Sequence, residues 1–192
     1  MTPFTESLRY DYPSLTKDSI VVDAGAYQGN WAREIHVKYG SIVLAFEPVK
    51  RFFDEASANC APYPRITLFN CGLGGHFRYE DFGVQNDSSG MFAGSTIRER
   101  APVMPLVPHL RQVHNGQYAL LKMNVEGAEY EALEHVLAED AAGMFDNLQV
   151  QFHTCAPDWE KRYAAIADGL SRTHELTWRT PFVWENWSKR KS

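Results

Sequence analysis

Ile20-Val21-Val22-Asp23-Ala24-Gly25-Ala26-Tyr27-Gln28-Gly29-Asn30 decides the fold. An apolar run ends in an acid, and a Gly-x-x-x-Gly turn opens a helical pattern. An α/β protein builds a nucleotide site in this way. A strand stops, the backbone turns where no Cβ obstructs it, and the next helix aims its N–H groups at the ligand. A dinucleotide fingerprint would begin with glycine where this chain has Asp23. A carboxylate there repels a pyrophosphate and suits a ligand carrying an ammonium or a sulfonium. S-adenosylmethionine carries both.

Outward from that stretch, strand and helix signals alternate. The pattern predicts an α/β fold, a mostly parallel central sheet with helices on both faces. Strands are expected at 20–23, 41–46, 65–69, 118–123 and 148–152, with helices at 30–39, 49–59, 127–138 and from Asp158. Gly40 stops the first helix, and Asp158 reads as the cap of the last. Trp159, Tyr163, Ile166 and Leu170 share one face of that helix. Residues 176–178 and 182–187 read as a closing pair of strands around Pro181. Cys71-Gly72-Leu73-Gly74-Gly75 reads as a loop, because so many glycines sit poorly in an element. The middle is less regular: a short strand at 77–82, a turn at 86–90, an edge strand at 103–106 limited by Pro102 and Pro105, and a short helix at 106–113. The chain reads as one domain, with 1–18 as an N-terminal extension and 77–105 as an insertion on the acceptor side.

In a parallel sheet, ligands sit beyond the carboxyl ends of the strands. Polar groups follow five successive strands: Asp23 with Gly25, Glu47, Asn70 with Cys71, Asn124 with Glu126, and His153. Glu47 lies about 20 residues beyond the glycine turn, where an acid accepts both ribose hydroxyls of an adenosine ligand. Its two oxygens only accept, which suits a cis-diol. Glu47 could also cap the helix after it, and both roles can hold together. Gly25 and Gly29 fit either the ligand turn or plain helix–strand packing. Ala26, Tyr27 and Pro48 fall within the same two strand-end turns. Asn70, Cys71, Gly72 and Leu73 would run along an adenine, with Leu73 as an apolar wall; a generic loop accounts for them nearly as well.

The bulk numbers exclude several classes. The net charge of −5 argues against broad nucleic-acid or anionic-membrane binding. The basic cluster Lys189-Arg190-Lys191 reads as a solvated tail. No apolar run reaches the roughly 20 residues of a membrane helix, and the first residues do not resemble a signal peptide. Cys60, Cys71 and Cys155 have neither disulfide-framework nor zinc spacing, which suggests a reducing, cytoplasmic setting.

Val22-Asp23-Ala24-Gly25-Ala26-Tyr27-Gln28-Gly29, Ala45-Phe46-Glu47-Pro48 and Leu121-Lys122-Met123-Asn124-Val125-Glu126-Gly127-Ala128-Glu129 together resemble the FkbM family of S-adenosylmethionine-dependent methyltransferases. Gln149-Val150-Gln151-Phe152-His153 and Phe182-Val183-Trp184-Glu185-Asn186-Trp187 look like one branch of it. The resemblance implies a class I methyltransferase (Rossmann-like) fold, S-adenosylmethionine as cofactor, and methylation of a hydroxyl on a sugar, glycan or secondary metabolite. Many family members carry Asp where this chain has Asn124, which can still position a substrate or the cofactor amine.

Such a reaction is helped by a base near the acceptor oxygen. His153 is the first candidate, since it follows an apolar strand and its ordinary pKa suits the task; it could instead hold a loop from behind. Glu126 could cap the following helix or face the acceptor, and Glu129 reads as structural, complementing the helix dipole. Asp87, Ser88 and Ser89 could reach the site from a loop. The other six histidines read as surface or packing residues, and Trp178, Trp184 and Trp187 as core more than as sugar-stacking rings. No metal site is expected, although a magnesium-assisted reaction using Asp87, Asn124, Glu126 and His153 is a rival. Other rivals are a nicotinamide-dependent oxidoreductase and a non-catalytic binder of adenosyl ligands. A homodimer could complete the pocket.

Overall fold

A strand buried on both faces reads as a nearly continuous apolar run, and Val21, Val22 and Ala24 are fully buried. They belong to β1 (Ile20–Ala24) of a computed structural model that describes residues 5–84, 89–90 and 98–191. The chain continues through α1 (Asn30–Tyr39), β2 (Ile42–Phe46), α2 (Lys50–Cys60) and β3 (Ile66–Phe69). A second group follows: β4 (Gly72–Gly74), β5 (Arg78–Val84), β6 (Ser89–Gly90) and β7 (Arg98–Pro105). Then come α3 (Leu106–Val113), β8 (Leu120–Met123), α4 (Glu129–Ala138), β9 (Asn147–Val150), α5 (Trp159–Ser171), β10 (His174–Thr180) and β11 (Trp184–Lys189).

The main sheet has seven strands in the order β10-β11-β9-β8-β1-β2-β3. β1, β2, β3, β8 and β9 are mutually parallel, and β11 runs antiparallel to β9 and β10. Side-chain alternation assigns the faces. Val22, Leu44 and Leu121 face one cluster with Leu106, Leu110, Leu133, Ile166 and Leu170 of α3, α4 and α5. Val21, Val43 and Leu120 face another with Trp31 and Ile35 of α1 and with Tyr12 and Leu15 of the N-terminal segment. The Tyr12 hydroxyl donates to Gln149 Oε1 of β9 at 2.7 Å, so this segment is fastened to the sheet.

α1 and α3 have the limits the periodicity predicts, and Gly40 ends α1 with a φ of 71°. Four readings are corrected. The glycine run is not all loop: Gly72–Gly74 form β4, paired in parallel with Val103–Pro105. The pairing explains the glycines, because a Cβ on Gly74 would lie 2.8 Å from Val103 Cγ1. β7 is not an edge strand but lies between β4 and β5. Its prolines are tolerated because the ladder to β4 begins only at Val103, so Pro102 has a strand on one side alone. The strand expected to start at residue 118 starts at Leu120, since Tyr118 makes only an isolated bridge to Phe145. Asp158 occupies the position before α5 but its side chain caps nothing; its backbone is left-handed, at φ 51°, and its carbonyl accepts from Arg162. Asp87 and Ser88 lie outside the described residues. Among those described, no helix is long and apolar enough to cross a membrane.

Candidate functional site

The carboxyl ends of β1, β2 and β8 open into a cleft of about 760 Å³, its mouth included. Gly25, Tyr27, Glu47, Pro48, Asn124 and Glu126 line it from the strand-end loops. Gly72 and Leu73 of β4 line it as well, with Arg78, Phe82 and Val103 from the second sheet. Eight of the expected residues therefore meet in one cavity. Asp23, Ala26, Gly29, Asn70, Cys71 and His153 stand behind it.

Gly25 is required by the approach of two loops. A Cβ there would lie 1.9 Å from the Asn124 carbonyl oxygen, and its φ of 78° is left-handed. Gly25 and Ala26 donate their N–H groups to the Phe46 carbonyl, each at 3.0 Å, which ties the turn after β1 to the end of β2. Gly29 serves packing: a Cβ would lie 2.8 Å from Cys60 Sγ on α2.

Glu47 is almost wholly buried, and its carboxylate accepts from the backbone N–H of Tyr27 at 2.8 Å and of Val49 at 2.9 Å. Burial pushes its pKa up to about 7, against the pull of those two N–H groups. Asn70 holds this corner, its Nδ2 donating to the Glu47 and Pro48 carbonyls at 2.9 Å each. Cys71 is buried, and burial raises its thiol to about 11, which makes it an inert wall.

Asp23 meets a partner the local pattern does not reveal. Lys122 Nζ, itself buried, lies 2.7 Å from Asp23 Oδ1 and 2.9 Å from the Gly25 carbonyl. Asp23 Oδ2 is buried with no hydrogen-bond partner, and burial raises the carboxyl's pKa against the pull of Lys122. A single lysine in an otherwise apolar strand is the signal that finds this pair, since a buried lysine needs an acid. Asn124 Oδ1 is likewise buried without a partner.

On the other side, Glu126 lines the cleft with a left-handed backbone at φ 52°, which costs a non-glycine residue about 1–2 kcal/mol. Its Oε2 lies 3.5 Å from His153 Nε2. His153 Nδ1 lies 3.2 Å from Glu129 Oε1, and its backbone N–H donates to the same oxygen at 2.6 Å. Glu129 is fully buried and also accepts from Gly127 N–H, so it staples the loops after β8 and β9 together. Burial lowers the His153 pKa, but the Glu129 hydrogen bond and the charges of Glu129 and Glu126 outweigh it and leave it raised.

Arg78, Phe82 and Val103, with Val125 and Ala128 around the loop after β8, are the cleft residues that sequence reasoning missed. The alternation through β5 puts Arg78, Glu80 and Phe82 on one face, but nothing local says which face meets the cleft. Arg78 NH1 and Gly75 N–H both bond Glu131 Oε1 of α4, at 2.8 and 2.9 Å, which fastens the second sheet over the site. Trp178, Trp184 and Trp187 are buried. Among the described residues, no three of His, Cys, Asp and Glu come together as a metal ion would require.

The family model of the methyltransferase FkbM domain matches residues 23–161. No curated protein matches the chain in sequence. Among solved structures, an rRNA methylase from Streptococcus thermophilus aligns with a TM-score of 0.58 at 13% identity, over 93% of this chain and 91% of that one. SMU.1697c from Streptococcus mutans, solved in complex with SAH, aligns with 0.55 at 9% identity, over 92% and 91%. Fibrillarin from Methanococcus jannaschii, a pre-rRNA processing protein, aligns with 0.51 at 14% identity, over 92% and 69%. At such identities these likenesses establish the fold, that of class I Rossmann-like methyltransferases.

Proposed function

This chain belongs to the FkbM methyltransferase family and is an S-adenosylmethionine-dependent enzyme, and we propose that it methylates a hydroxyl oxygen of a sugar, glycan or secondary metabolite. The observation that carries the reading is the pairing of two unlike walls in one cleft, Glu47 with Asn124 on one side and Glu126 backed by His153 on the other.

The residues present fit the cofactor. Two of the Glu47 lone-pair positions are used by Tyr27 and Val49, and the others remain for the two ribose hydroxyls. The unpartnered Asn124 Oδ1 suits the ammonium of the methionine part. Leu73, Phe82 and Val103 offer an apolar wall for a ring. When bound, S-adenosylmethionine would supply an electrophilic methyl group, open to in-line attack by an acceptor oxygen with S-adenosylhomocysteine as the leaving group.

Glu126 takes the acceptor's hydroxyl proton in this reading, because it lines the cleft and His153 does not. The raised pKa of His153 keeps its imidazole charged to higher pH than usual, which suits a residue that positions the Glu126 carboxylate. Among the described residues of 77–105, Arg78 stands toward the acceptor side in this reading. The rRNA named for several structural neighbours does not suit this chain: its net charge is −5, and residues 124–160 carry nine acids and no lysine or arginine. A reducing, cytoplasmic setting fits the free thiols Cys60, Cys71 and Cys155.

The test is transfer of radiolabelled methyl from S-adenosylmethionine to a glycan array, with S-adenosylhomocysteine binding measured by calorimetry. Glu126→Gln is expected to slow transfer by about 10²–10⁴-fold while the homocysteine product binds as before. His153→Asn is expected to keep more of the rate and to shift its pH profile. Label appearing on RNA instead, or full activity in the glutamine variant, would overturn the assignment.

A further inference from the structure

At the carboxyl-end edge of the main sheet, a partly exposed aromatic residue has a strained backbone. Phe182, in the turn between β10 and β11, has a φ of 55°, a conformation bulky side chains rarely adopt, and its residue is 38% exposed. Four of the five non-glycine residues with positive φ among those described, Tyr27, Glu126, Asp158 and Phe182, lie in loops at the carboxyl-end edge of the main sheet. Strain of this kind gathers where a surface must present a group. The Phe182 ring meets Trp159 nearly edge-on at 4.8 Å and Tyr163 at 5.7 Å, so its position is braced. Trp159 opens α5 directly after the loop that carries His153, and in that loop Cys155 Sγ contacts the Glu126 carbonyl.

We propose that Phe182, braced by Trp159, is the stacking platform for an extended, uncharged glycan whose reacting hydroxyl lies at Glu126. This rests on the methyltransferase reading above and specifies its acceptor. Three arguments carry it. A partly exposed aromatic ring braced by two others suits the apolar face of a sugar ring. The stretch from Asn124 to Glu160, which supplies Glu126, His153 and Trp159, has nine acids and no lysine or arginine, and of the cations near it Arg162 is held by Glu134 and Arg179 donates to the Tyr163 hydroxyl, so a phosphate chain finds little free counter-charge there. The strand order then sets the span. From β8, past β9, to the β10–β11 turn is two strand spacings or slightly more, roughly 10–12 Å. A single sugar at Glu126 does not reach that far, and a chain of about two or three does.

The experiment titrates the protein, loaded with S-adenosylhomocysteine, with mono-, di- and trisaccharides of the gluco, manno and chito series. Trp31, Trp178, Trp184 and Trp187 are buried, so a change in tryptophan emission reports Trp159. The expected result is tighter binding of the trisaccharide than of the monosaccharide in one series. Phe182→Asn should weaken that binding about tenfold. Asparagine tolerates a left-handed backbone, so the melting midpoint and S-adenosylhomocysteine affinity should stay unchanged. Equal affinity for mono- and trisaccharide, no loss in Phe182→Asn, no saccharide binding at all, or capture of an RNA hairpin in preference overturns the platform while leaving the cofactor site standing. Failure of wild-type protein to bind S-adenosylhomocysteine overturns the methyltransferase reading, and the platform with it.

Discussion

At Gly25 the loops after β1 and β8 leave no room for a methyl group, and the left-handed φ adds its own penalty. Gly25→Ala is expected to lower stability by about 3 kcal/mol or more, read as a drop in the urea midpoint. Gly143→Ala is the matched control, since a Cβ there meets nothing within 4 Å. It should hold stability or gain about 0.5 kcal/mol. If the two variants unfold together, the close approach to Asn124 is not what fixes Gly25. Glycine spacing is legible in sequence, but the atom that approaches each glycine is not. Gly25 meets the loop after the neighbouring strand β8 and Gly29 a cysteine of α2, and the two look alike in the motif. Asp23 is similar. Its partner Lys122 is 99 positions away, so the acid reads as facing a ligand when an ammonium of the chain already sits beside it.

Elements whose signals are local are read well. α1 ends where Gly40 takes a left-handed φ, and α3 follows its own apolar spacing. The second sheet is different, because β4 exists only through its pairing with β7, and glycine is favoured there by Val103, a residue far along the chain. No window over 71–75 contains that information. The sheet is held to α4 by Glu131, which accepts from Gly75 and Arg78 and lies 3.1 Å from His76 Nδ1. Glu131→Ala is expected to cost about 1–3 kcal/mol locally. Hydrogen exchange should quicken in β5 and β7 while β1, β2 and β8 keep their protection. Uniform quickening, or none, would mean that strand pairing alone holds this sheet. The same coupling makes Arg78, Phe82 and Val103 of the cleft depend on Glu131, which does not itself line it.

For the whole molecule, buried ionisable groups set the pH response. Glu47 and Glu185 have pKa values raised by burial, Glu47 from 4.5 to about 7. A raised carboxyl favours the native state at low pH, and that contribution is lost as pH climbs through the folded value. His109 and His174 are lowered by burial, so their contribution is present above about 6.5 and is lost as pH falls. The two trends oppose each other between about pH 5 and 7. Glu47→Gln removes one of them. Relative to wild type, its stability should rise by about 3 kcal/mol between pH 5 and 8, measured as the difference in urea midpoints. A difference independent of pH would mean that Glu47 is ionised throughout. The order of strands has a further consequence, in time instead of space. β11 comes late in the chain yet sits inside the sheet, between β9 and β10. While the ribosome is still making residues 184–189, β9 offers an open edge flanked by the apolar Leu148 and Val150. At about 5–20 residues per second, that interval is short when synthesis is smooth. A pause near Pro181 would prolong it, so codon choice around that turn becomes a determinant of yield.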